Sequence, residues 1–161
     1  MPAPDPHERH DRFPGFPVDP DVTTGDDVPS PPRIRIDVLG AVAAGGALGA
    51  LAREAVAEAI PRQGAEFPWA TLLTNVTGCF LIGVLMVLVI ERWPDRHLVR
   101  PFFGTGILGG FTTFATYAVE SRVLLAAGHF VTAAAYLVGT LVVGLVAVVA
   151  GLGLTERVVS R

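Results

Sequence analysis

The chain has 161 residues, of which 51% are hydrophobic and 17% charged, with a net charge of −3. That balance places it among membrane proteins and leaves no room for a separate soluble catalytic domain beside its apolar stretches. Cys79 is the single cysteine, which excludes a disulfide framework, and within an apolar span it reads as a small packing residue.

Residues 1–32 belong to a different class from the rest. They are rich in Pro and Asp, with Asp5, Glu8, Asp11, Asp19, Asp21, Asp26 and Asp27 set against Arg9 and Arg12. Such a segment cannot bury enough apolar surface to offset its ordering entropy, so a disordered acidic tail is expected. It lacks the basic start and short apolar core of a cleavable signal peptide. Residues 33–161 form the second unit. A membrane span needs roughly 20 mainly apolar residues, and four stretches meet that need: Ile36–Ile60, Pro68–Ile90, Phe102–Ala127 and Phe130–Leu154. Short connections join them, which predicts one compact four-helix unit of all-α integral membrane class.

The first span carries Gly45, Gly46 and Gly49, and small residues at four-residue spacing let helices approach closely in lipid. It ends with Arg53, Glu54 and Glu58. Either these charges reach the headgroups as a salt-bridged helix end, or Arg53 faces a vestibule where its charge attracts anions. The second span opens at Pro68-Trp69, a proline at a helix start beside an interfacial aromatic. Its first half is polar, and Thr71, Asn75 and Gly78 share one helical face. The third span contains Gly109-Gly110-Phe111-Thr112-Thr113-Phe114-Ala115-Thr116-Tyr117 and then Glu120 and Arg122. Paired glycines loosen a helix by about 1 kcal/mol each, and irregular backbone at membrane depth persists only where it is buried in protein or lines a watery cavity. This stretch therefore reads as the wall of a pathway. The fourth span is nearly featureless apart from Thr132, Tyr136, Gly139, Thr140 and Gly144.

Arginines set the orientation. Arg33, Arg35, Arg92, Arg96, Arg100, Arg157 and Arg161 collect at one set of span ends, against Arg62 and Arg122 at the other. Positive residues favour the cytoplasm, so a multi-pass protein of the cell membrane with both termini inside is expected.

Enzyme chemistry finds no support. HExxH, a phosphate-binding glycine loop and a serine elbow are all missing. His7, His10, His97 and His129 are too scattered for a metal site. Glu54 and Glu58 sit one turn apart beside Arg53, an arrangement commoner in salt-bridged helix ends than in acid/base pairs. What remains is a donor-rich, cation-poor set: the Asn75 amide, threonine hydroxyls, and Phe114 and Tyr117 three residues apart with electropositive ring edges. These groups suit a small, strongly hydrated anion. Taken singly, Asn75 also serves as interhelical glue, phenylalanines as packing, and threonines as donors to their own helix.

From Ile36 to Thr155 the chain resembles the Fluc/CrcB fluoride channels. The resemblance rests on Gly45-Gly46-Ala47-Leu48-Gly49-Ala50-Leu51-Ala52-Arg53, on Ala70-Thr71-Leu72-Leu73-Thr74-Asn75-Val76-Thr77-Gly78-Cys79-Phe80, and on Gly106 to Tyr117 followed by Glu120. It implies an antiparallel, dual-topology-type dimer of four-helix subunits with two fluoride pores. It also implies a third helix broken at Gly109 to Thr112, where the Gly109 and Thr112 carbonyls meet their dimer mates around a structural sodium ion. By the same resemblance Asn75 is the pore amide, Phe114 and Tyr117 take the two aromatic positions with Thr116 nearby, Arg53 is a vestibule residue, and Glu120 serves structure or a pore end. Thr140 is a candidate for a polar track on the fourth helix. Three positions depart from the family pattern: Tyr117 where Phe is usual, Ala115 for a serine, and Cys79 for a serine. The strong arginine bias adds the expectation of a related partner chain of opposite bias, as an alternative to a homodimer. No nucleic-acid partner is expected. Two other readings remain at this stage: a small dimeric proton-coupled multidrug exporter, for which Glu54 would have to be the coupling carboxylate, and a purely structural membrane subunit.

Overall fold

The computed structural model describes residues 35–160. The tail expected over residues 1–32 lies outside the described residues, as do Arg33 and Arg161. The described part is all-helical, with four helices long and apolar enough to cross a membrane: Ile36–Ala59, Trp69–Glu91, Arg100–Ala126 and Phe130–Val159. Their starts match the apolar stretches to within two residues. The fourth helix runs five residues beyond Leu154. Loss of hydrophobicity marks where lipid ends, whereas the helix continues because its backbone still pairs internally, and Arg157 in its last turn complements the helix dipole.

Two helix pairings organise the bundle. The second and fourth helices pack along much of their length, and the first helix packs on the first half of the third span. The first helix approaches so closely at Gly49 that a Cβ there would run into the Ile107 carbonyl and the Phe111 amide. Close backbone approach of this kind is what small residues permit in lipid, where no hydrophobic force draws helices together. The third and fourth helices meet near their connecting turn, where Gly128 has φ +78°. Leu124, Ala133 and Tyr136 are fully buried there, with Tyr117 nearly so.

The third span is irregular along its length. Arg100–Leu108 is wound as a π-helix, and the Gly109 N–H donates to the Gly104 carbonyl five residues back. One α-helical turn follows at Gly109–Phe111. Thr112 (φ −79°, ψ 155°) and Thr113 (φ −147°, ψ 120°) are extended, and the helix resumes over Phe114–Ala126. The extended residues are thus the two threonines, while Gly109 and Gly110 keep helical geometry. Gly110 serves proximity instead of unwinding, since a Cβ there would meet the Gly46 carbonyl, whereas Gly109 lies open on the exposed face.

Candidate functional site

The extended residues determine where their backbone groups bond. Thr113 N–H donates to Asn75 Oδ1 at 2.8 Å, and Asn75 Nδ2 donates to the Thr113 carbonyl at 3.1 Å. In an unbroken helix that N–H would instead pair with the Gly109 carbonyl, four residues earlier. The Asn75 side chain therefore takes over one residue's worth of backbone pairing and releases the Gly109 oxygen. A primary amide is the natural group for this work, because it offers a donor and an acceptor side by side. The second Nδ2 hydrogen is left over. Thr113 then caps the resumed helix, its Oγ1 accepting the Thr116 N–H at 3.1 Å. The same hydroxyl donates to Thr116 Oγ1 at 3.1 Å.

A cavity of about 330 Å³ opens beside this junction, with Asn75, Cys79, Thr112, Phe114, Tyr117 and Thr140 in its wall. Four of the expected pathway residues, Asn75, Phe114, Tyr117 and Thr140, come together here. The Phe114 and Tyr117 rings lie 5.9 Å apart with a 45° tilt. Tyr117 spends its hydroxyl on the Leu137 carbonyl at 2.9 Å, so its polar atom is tied to the fourth helix. Thr140 behaves differently. Its Oγ1 is buried without a hydrogen-bond partner among the described residues. Most other buried hydroxyls follow the ordinary pattern and bond back to their own helix: Thr74 to Thr71, Thr112 to Leu108, Ser121 to Tyr117 and Thr155 to Gly151. A buried hydroxyl without a partner, on a residue that lines a cavity, marks a place where a polar group goes unsatisfied.

Thr116 and Arg53 lie elsewhere. They line a separate cleft of about 100 Å³ with Glu54, Thr71, Thr74 and Thr113. Thr113 borders both spaces and is the wall between them. Among the described residues Arg53 makes no ion pair with Glu54 or Glu58, so the salt-bridged helix end is not formed there. Glu120 borders neither space. One of its oxygens accepts the Tyr136 hydroxyl at 2.9 Å, and the other lies 3.3 Å from Arg62 Nη1. Gly109 lies on the exposed face of the third span, while Thr112 is half-buried with its Cγ2 against Gly78.

Reasoning from sequence missed three contributors. Thr113 was legible as a helix cap, since Thr followed by a helical segment is a common N-cap pattern. Tyr136 carried a signal too, because a tyrosine in an apolar span needs a partner for its hydroxyl. Arg62 carried none beyond its charge, since its partner Glu120 is far away in sequence.

Comparison with known proteins agrees with this architecture. A family model described as "CrcB-like protein, Camphor Resistance (CrcB)" matches residues 40–152. A Nocardia farcinica protein named "Fluoride-specific ion channel FluC 2" is 52% identical over 116 residues, which is 72% of this chain and 83% of the relative. A Streptomyces avermitilis protein of the same name is 56% identical over 104 residues, 65% of this chain and 66% of the relative. In Streptomyces coelicolor, "Fluoride-specific ion channel FluC 1" is 51% identical over 116 residues, covering 72% and 75%. With four membrane-crossing helices and a match spanning most of its length, this multi-pass membrane chain belongs to the CrcB family.

Proposed function

We propose that this chain is the subunit of a fluoride-selective channel, not an enzyme, and that it lets fluoride leave the cytoplasm down its own gradient. Hydrogen fluoride is a weak acid that crosses membranes neutral and dissociates in a less acidic interior; an open anion path lets the ion out again. The observation that carries this reading is the junction at Thr112–Thr113, closed by Asn75 and opening on a cavity lined by Thr140, whose buried hydroxyl has no partner. In the proposed pathway the spare Asn75 N–H, the Thr140 hydroxyl and the ring edges of Phe114 and Tyr117 replace water around the ion. Electropositive ring edges and N–H or O–H donors favour an anion over a cation. Thr116 and the Arg53 cleft form the adjoining vestibule, and Glu120, held by Tyr136 and Arg62, serves structure behind the pathway wall.

The functional unit in this reading is an antiparallel dimer with two pores. Phe114 is 80% exposed on the single chain although it sits mid-span, which suits a ring awaiting cover from a second subunit. A structural sodium ion, held by the Gly109 and Thr112 carbonyls, belongs to the same reading. The Gly109 carbonyl is freed by the Thr113–Asn75 pairing, and the Thr112 carbonyl follows an extended ψ. Neutral backbone oxygens are hard ligands that suit a small hard cation. When bound, the ion would supply a fixed positive charge beside the pathway. Arg92, Arg96, Arg100 and Arg157 at one set of helix ends support insertion in the plasma membrane with both termini in the cytoplasm. So strong a bias favours a related partner chain of opposite orientation over a homodimer. The exporter reading gains nothing, because Glu54 is exposed and lies beside Arg53 near the end of the first helix.

The test is fluoride efflux from vesicles containing the purified full chain, followed with a fluoride electrode. Efflux that exceeds chloride efflux by orders of magnitude is the expected result. Phe114→Ile should lower it sharply, and unchanged flux would remove the rings from the mechanism. If the chain alone is silent, co-reconstitution with a related chain restores flux; silence in both refutes the channel reading. Full flux from this chain alone would instead rule out an obligate heterodimer.

A further inference from the structure

The loop between the first two helices carries a cation that reaches into the bundle. Arg62 folds over its own turn, Nε and Nη2 both donating to the Gly64 carbonyl at 3.1 and 3.0 Å, where Gly64 has φ +59°. That brace aims Nη1 inward, to 3.3 Å from Glu120 Oε1, with the two side chains only 19% and 18% exposed. Nη1 is buried and forms no hydrogen bond of its own. The other Glu120 oxygen accepts from Tyr136, which is fully buried and stacks 5.2 Å from Tyr117 in the cavity wall. The Glu120 carboxylate thus stands behind the Tyr136 and Tyr117 rings from the proposed anion pathway, in surroundings of reduced dielectric.

We propose that Arg62 is a charge-compensating, positioning residue for the anion pathway: it pairs with Glu120 so that an anion meets a neutral cluster instead of a carboxylate. This rests on the fluoride reading above. A carboxylate held there by Tyr136 without a counter-charge repels an anion, and because its side chain keeps 18% exposure, the part of that field that runs through water is open to screening by salt. Exposed surface pairs contribute little, but this pair is enclosed and one member is braced by its own loop. The long sequence separation means that the loop, which touches no ion, sets the field behind the pathway wall.

The test measures fluoride efflux from vesicles with the full chain, with its partner chain if that is needed for flux. Impermeant salt is varied from about 10 mM to about 300 mM, over which the screening length falls from about 30 Å to below 10 Å. Wild type and Arg62→Lys should vary by less than about twofold across that range, because the compensated cluster has no net charge and only a short-ranged dipole field. Arg62→Gln should lose about tenfold at low salt and regain much of it at high salt, as expected for an uncompensated carboxylate. In an E120Q background the same change should cost less than in wild type and only at low salt, where the unpaired Arg62 draws anions. A purely structural Arg62 would give a loss that is independent of salt and equal in both backgrounds, and that result overturns the proposal. An R62Q flux equal to wild type overturns it too. If R62Q yields no folded protein, E120Q decides alone. Its unpaired Arg62 should make residual flux fall as salt rises, and a flat or rising profile refutes the idea. Wild-type efflux in the same vesicles separately tests the channel reading.

Discussion

Replacing Asn75 with alanine removes both hydrogen bonds that close the Thr112–Thr113 junction, the 2.8 Å bond from the Thr113 N–H and the 3.1 Å bond to its carbonyl. Leaving a buried polar group unpaired costs about 1–3 kcal/mol. Two backbone groups are stranded, but they adjoin a cavity large enough to admit water, so the lower part of the range applies to each. The sum is about 2–3 kcal/mol, which for a chain of this size corresponds to a fall of roughly 5–10 °C in midpoint temperature. Asn75→Asp separates the two roles. It keeps the acceptor for the Thr113 N–H, loses the donor, and places a negative charge in the pathway. It should therefore unfold at a temperature between wild type and N75A yet conduct less fluoride than N75A. The assay pairs thermal unfolding in detergent, read by size-exclusion of the soluble fraction, with efflux from vesicles at matched protein content. A wild-type midpoint for N75A would refute the claim that this amide holds the junction. If N75D conducts better than N75A, the amide is not on the anion's route.

Other outcomes follow from the same contacts. Thr140→Val removes a buried hydroxyl that has no partner, so stability should be unchanged or higher while flux falls several-fold; a drop in stability would show that the hydroxyl is satisfied after all. Tyr117→Phe deletes the 2.9 Å bond to the Leu137 carbonyl. It should cost about 1 kcal/mol with flux within about twofold of wild type, because the hydroxyl is already spent on that carbonyl; a tenfold loss would place it in the pathway. Gly49→Ala sets a methyl against the Ile107 carbonyl and should abolish folded protein, whereas Gly153→Ala, with open space around it, should be tolerated. Equal yields of the two variants would contradict the close packing of the first helix on the third span.

Sequence reading and structure part company at identifiable places. Four spans, Asn75 on the polar face of the second, and the aromatic pair Phe114 and Tyr117 are local patterns, and each is present where the pattern puts it. The double glycine shows the limit of local reasoning. Glycine's weak helix propensity suggests unwinding at Gly109, yet Gly109 and Gly110 are helical, Gly110 lies close against Gly46, and the extended conformation falls on Thr112 and Thr113. Propensity is worth only about 1 kcal/mol per glycine, a term that tertiary context routinely overrides.

By itself the amino-acid order determined class, number of spans, arginine asymmetry and the inventory of donors, because hydropathy, helical periodicity and charge are properties of short windows. Only the folded chain decided which donors are already spent. Tyr117 and Thr74 are satisfied internally, Thr140 is not, Thr116 shares a cleft with Arg53 apart from Asn75, and Glu120 is held by Arg62 and Tyr136. Those assignments depend on partners from different helices and loops. A hydrogen bond or ion pair between distant residues forms only once packing has set both ends within reach, and no window of sequence contains that distance.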